Sequence, residues 1–188
     1  MPLPSPAPRE PIHVRTIECR GYRRADGLWD IEGHLVDTKT YGFDSSWRGE
    51  VAAGTAIHDM WIRLTVDDEL IVRGIEAVTD SSPYEVCPTI TGNFQRLVGL
   101  PIRSGWTQRV RELLGGVEGC THLVELLGPV ATTAFQTIFP WRNRQRRAAG
   151  EADEANADRA PRLLNTCHAF RSDGPVVKRE WPAAYTGR

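Results

Sequence analysis

The sequence predicts an α+β fold: an antiparallel β-sheet of four or more strands with helices packed on one face. Three observations carry this. Residues 13–37 and 60–79 show period-two alternation, each interrupted once by an Asp-containing turn. Residues 88–138 switch to apolar spacings of three and four, the rhythm of amphipathic helices. A chain of 188 residues, 40% hydrophobic and 25% charged, is long enough to bury one real core.

The chain opens Met1-Pro2-Leu3-Pro4-Ser5-Pro6-Ala7-Pro8, proline-rich and without the apolar stretch of a signal peptide. Residues 1–11 therefore read as a disordered lead-in, and 12–140 as the α+β core domain. A first strand runs from 13 to 24, Ala25-Asp26-Gly27 turns the chain, and 28–36 returns, with glycine supplying positive φ. Residues 41–54, rich in Gly, Ser and charge, read as a loop. Met60, Ile62, Leu64 and Val66 then alternate with Trp61, Arg63 and Thr65, Asp67-Asp68-Glu69 turns, and 70–79 runs back.

The helical part has three expected segments. Residues 88–98 carry Ile90, Phe94, Leu97 and Val98, with Cys87 as N-cap before Pro88. Ser104 is expected to cap a second helix that Gly115 ends. A third runs from 121 to 138, and Pro129 after Gly128 either kinks it or starts a new segment. Residues 141–160, basic at Arg142, Arg144, Arg146 and Arg147 and then acidic, read as a flexible charged linker or an exposed helix. Residues 161–188 read as a C-terminal β-hairpin that turns at Ser172-Asp173-Gly174 and returns to the core.

Several function classes lose support at once. The net charge of -1 argues against nucleic acid or an anionic membrane as partner. No run approaches the roughly 20 apolar residues of a membrane span. Cys19, Cys87, Cys120 and Cys167, without an export signal, read as reduced thiols of a cytoplasmic protein. The chain has no Walker loop, G-x-G-x-x-G, G-x-S-x-G, H-E-x-x-H or deaminase His-x-Glu signature. The oligomeric state is not legible.

What remains is a candidate metal site: His58, Asp59, Cys87, Cys120 and His122. A helix N-terminus favours thiolate over thiol, and both cysteines stand at expected helix starts. His58 and Asp59 precede the strand 60–66, whose hairpin partner leads back toward Cys87, so topology puts these three at one sheet edge. Sulfur, nitrogen and oxygen donors in this mixture suit zinc or iron. The competing reading makes the cysteines small buried hydrophobes and His122 a capping residue. His34, Asp37 and Lys39 form a second set with acid–base potential, but His34 and Asp37 fall on opposite strand faces, which favours a plain charged strand end. Cys167-His168 likewise points both ways, and Cys167 is expected in the core.

Gly21-Tyr22-Arg23-Arg24, residues 29–39, His58-Asp59-Met60-Trp61 and residues 115–123 together resemble a bacterial family catalogued only as domain of unknown function 2889. More distantly, Asp59, Cys87 and Cys120 stand in an order similar to that of the NifU and SufE type of iron–sulfur scaffold, with His58 where a first cysteine is expected. That resemblance implies metal handling, though two thiolates suit a mononuclear zinc or iron site better than an iron–sulfur cluster. The expectation is a cytosolic metalloprotein, an enzyme on a small organic metabolite if a coordination position is open. The alternatives are an iron–sulfur or metal-handling accessory protein without turnover, or a metal-free binding module whose Trp29, Trp61 and Trp106 line a small-molecule pocket.

Overall fold

The computed structural model describes residues 3–151 and 163–187. Its centre is a four-stranded antiparallel sheet in the order β1-β2-β5-β6, formed by β1 (His13–Arg23), β2 (Trp29–Lys39), β5 (Ala56–Val66) and β6 (Val72–Ser81). Both expected hairpins are present: β1 pairs with β2 and β5 with β6, all antiparallel. Gly27 takes φ 87 at the first turn, a conformation open to glycine at no steric cost. At the second turn the Asp67 carboxylate accepts hydrogen bonds from the Glu69 and Ile71 N–H groups and so closes the bend. The segment 41–54 is more than a loop, because β3 (Phe43–Ser45) and β4 (Gly49–Val51) pair there as a small separate hairpin.

Alternation along β2 is complete. Trp29, Ile31, Leu35 and Asp37 are buried, while Asp30, Glu32 and His34 between them are half-buried on the other face. The buried side receives residues 121–137 of α2 (Thr121–Ala148), and two glycines allow the close approach. A Cβ at Gly33 would stand 2.5 Å from a Val130 methyl, and one at Gly21 would overlap the Thr137 side chain. Met60, Ile62, Leu64, Leu123, Leu126 and Val130 complete this core.

The helical part departs from expectation in four places. The segment Cys87–Leu97 is 3₁₀ rather than α, with Val86, not Cys87, at its cap. The next helix, α1 (Trp106–Leu114), starts after Gly105 at φ 88 rather than at Ser104, and it stops at Gly115 as expected. Of the two alternatives at Pro129, the start of a new segment is not seen. α2 runs unbroken through it and past the expected end at 138 to Ala148, so residues 141–148 take the helical alternative. Pro129 removes one N–H from the helical ladder, and the nearby Leu127 carbonyl takes the Trp106 indole N–H at 3.4 Å.

The chain divides into two compact units, Met1–Thr137 and Ile138–Arg188. The second unit has no strand among its described residues. The turn at 172–174 is real, with the Gly174 N–H donating to the Arg171 carbonyl, but Pro175 follows it and opens α3 (Pro175–Glu180) instead of a strand. Proline at a first helical position is pre-set for that geometry. Val177 and Trp181 are buried there, the Phe170 ring lies 5.7 Å from that of Trp181, and Cys167 is exposed rather than in a core. The remainder of the expected linker, residues 152–160, lies outside the described residues. Among the described residues, no helix is long and apolar enough to cross a membrane.

Candidate metal centre

Strand register builds the site. Asp37 of β2 pairs directly with Arg15 of β1 on one side and with His58 of β5 on the other. All three side chains meet on the helix-covered face of one rung. His13, two residues before Arg15, shares that face. Beyond the rung β5 carries an extra residue, since Asp37 pairs with His58 but Thr38 with Ala56. The first turn of α2 then brings His122 over the rung and Glu125 beside it, three residues apart and so on one helix side.

Asp37 is the one carboxylate among the described residues that is fully buried. Its Oδ1 accepts from Arg15 Nε at 2.8 Å and His13 Nε2 at 3.0 Å, and its Oδ2 accepts from the second Arg15 donor at 2.8 Å and His58 Nδ1 at 2.9 Å. His122 Nε2 stands 3.9 Å from the same Oδ2. Arg15 reaches onward to the Glu125 carboxylate at 2.7 Å. The His58 and His122 rings lie 3.7 Å apart, tilted by 32°. Cys120 is the residue before α2, its carbonyl accepting the first helical bond from Val124. Its Sγ is 3.9 Å from both His122 Nδ1 and the Met60 sulfur.

Protonation follows from these neighbours. Burial alone pushes the Asp37 carboxyl up, but the Arg15 bonds, then His13, the Arg15 charge and His58 outweigh it and hold the group well below the usual carboxylate range. Burial moves His58 the other way, below its ordinary value, against the pull of Asp37 and with help from the charges of Arg15 and His13. His122 is lowered for the same first reason, then by His58 and Arg15, against Asp37 and Glu125. The rung thus holds one ionised carboxylate and two neutral imidazoles, the state in which such side chains bind a cation. One donor atom from each of Asp37, His58 and His122 lies within 4.8 Å of the others.

The structure sorts the expected ligands. His58 and His122 come together, and Cys120 stands at the margin. Asp59 does not join them: it follows His58 on a strand and faces the opposite side, where its Oδ1 is 2.7 Å from His34 Nε2. His34 in turn stacks on Trp61 at 3.6 Å. The parity that separates His34 from Asp37 holds, and it is what leaves Asp37 on the inner face. Cys87 opens the 3₁₀ segment and enters no ligand group among the described residues.

The family described as protein of unknown function (DUF2889) matches residues 13–136 of this chain. The chain belongs to this family. The match begins at His13 and contains every member of the rung, so the DUF2889 region is the unit that carries the candidate site. No curated protein and no solved structure matches the chain, and the likeness to NifU and SufE rests on the order of residues alone.

Residue reasoning missed four members of this DUF2889 site: Asp37 as the anchor, Arg15, His13 and Glu125. The signal for Asp37 was present in the unbroken alternation of β2, where a carboxylate occupies the next inward position after Leu35. The others depend on register between strands and on where α2 lands, which local periodicity does not encode.

Proposed function

We propose that this DUF2889 protein is a metalloprotein in which Asp37, His58 and His122 hold a single zinc or iron ion. The observation that carries the reading is the convergence of these three donors, from β2, β5 and α2, on the buried carboxylate. Two imidazoles and one carboxylate are the donor set of open zinc and non-haem iron sites, which leave positions for water and substrate. Arg15 donates to both oxygens of the carboxylate and so fixes its orientation, as partners outside the coordination sphere do. With one sulfur near the group, an iron–sulfur cluster is disfavoured, because such clusters are held mainly by several thiolates. If the open positions take water or a carbonyl, the ion supplies Lewis acidity for chemistry on a small organic metabolite.

A second reading has its own support. Four N–H donors already fill both Asp37 oxygens, and a carboxylate can only accept, so the His58 contact puts a proton on Nδ1 and leaves Nε2 as a free base. That is the orienting role an aspartate plays in metal-free acid–base sites. Plasma mass spectrometry of untagged protein separates the two. The metal reading predicts about one zinc or iron per chain, retained through gel filtration and lost in His58→Ala and His122→Ala. Metal-free wild-type protein that also takes up none from solution would transfer the site to the acid–base reading.

A further inference from the structure

We propose that a cavity between α1 and α2 is a binding site for a small carboxylic acid with an apolar body. The cavity has a volume of about 470 Å³ and is bounded by α1, the glycine turn 115–116 and the first two turns of α2. That volume lies in the range of sites that enclose a small organic ligand. Trp106, Val110, Leu114, Val124 and Leu127 give it apolar walls. Trp106 forms part of the floor, 7% exposed, with its indole N–H donating to the Leu127 carbonyl.

One charge on the wall points to the ligand's polar end. Arg111 lines the cavity, and its guanidinium has no hydrogen-bond or ion-pair partner among the described residues. Its neighbour in α1, Arg109, pairs with Glu112 at 2.8 Å, whereas Arg111 keeps its donors free for a ligand. A planar guanidinium matches a carboxylate through two parallel N–H bonds, which a neutral amide cannot reproduce. The other charged wall residue, Glu125, is engaged by Arg15 and does not compensate Arg111. Glu125 also places the cavity beside the Arg15–Asp37–His58 rung. The assignment does not require the metal, because Arg111 and Trp106 take no part in that group.

Isothermal titration calorimetry with trans-cinnamate and its neutral isostere cinnamamide tests this on the full chain. Cinnamate should bind one to one, at least about tenfold more tightly than cinnamamide, as expected for a charge-assisted bidentate contact. Arg111→Gln, which alters an exposed side chain without partners, should weaken cinnamate about tenfold and leave cinnamamide unchanged. Val124→Phe, which fills the cavity, should abolish both. His58→Ala should keep cinnamate binding, and protein that takes up no metal yet binds cinnamate would support this site while removing the metal reading. No saturable heat with cinnamate, equal affinity for the amide, or an unaffected Arg111→Gln variant would overturn the assignment.

Discussion

Asp37 and His58 face each other across β2 and β5, and the buried carboxylate accepts the His58 Nδ1 proton at 2.9 Å. This pair joins the sheet to the chemistry. Arg15 fixes the carboxylate from the neighbouring strand, so the orientation of His58 is set by backbone register rather than by a loop. Sites built on paired strands are held more precisely than sites on loops.

Replacing Asp37 with Asn tests that anchor. Asn offers one accepting oxygen and turns an NH₂ group toward the N–H donors of Arg15 and His58. The variant should lose roughly 2–3 kcal/mol of stability, the scale of hydrogen bonds to a buried charged group. Urea unfolding at neutral pH measures it, and an unchanged midpoint would show that the network carries no stability.

Helix packing over the rung depends on Gly33. Gly33→Ala should cost roughly 1–3 kcal/mol by overpacking against Val130 and Leu126. Gly74→Ala is the control, because its Cβ meets Thr65 at an ordinary 3.7 Å, and its effect should stay within about 0.5 kcal/mol. Equal effects at the two positions would contradict the close approach of α2 at Gly33.

Acid should destabilise the metal-free protein in two stages. His58 and His122 titrate below their ordinary value when folded, so the unfolded chain binds protons first as pH falls through about 6.5. Their contribution is complete above that pH and is lost below it. Asp37 adds a second loss once pH falls below the ordinary carboxylate value of about 3.9, continuing toward its depressed folded value. Thermal midpoints from pH 8 to pH 5 should decline more steeply for wild type than for a His58→Gln, His122→Gln double variant. Parallel declines would remove the histidines from the account.

The opposite face supplies a separate test. Asp59 bonds His34 beside Trp61, away from the rung. Asp59→Ala should therefore keep the metal content of wild type while Asp37→Ala loses it. Loss of metal in Asp59→Ala would place the ligand set on the other side of β5.

The strands were readable because β2 and β5 are buried on one face, which writes inside and outside into alternate residues. The same alternation was enough to separate His34 from Asp37 and His58 from Asp59. Pairing between the two hairpins was not readable, since β2 and β5 are joined through 41–54 and meet with an extra residue near Asp37. Nor was the landing of α2, which depends on the absent side chains of Gly21 and Gly33. At the C-terminus the turn at 172–174 suits a hairpin as well as a helix start, and Pro175 directly after it is the residue that decides for the helix.

Cobalt(II) titration of metal-stripped protein, followed by visible absorption, tests the central claim most directly. The account predicts a d–d band that saturates at about one equivalent, is abolished in Asp37→Ala, His58→Ala and His122→Ala, and persists in Asp59→Ala. Absence of a band in the wild type, or the same band in all three ligand variants, would contradict it.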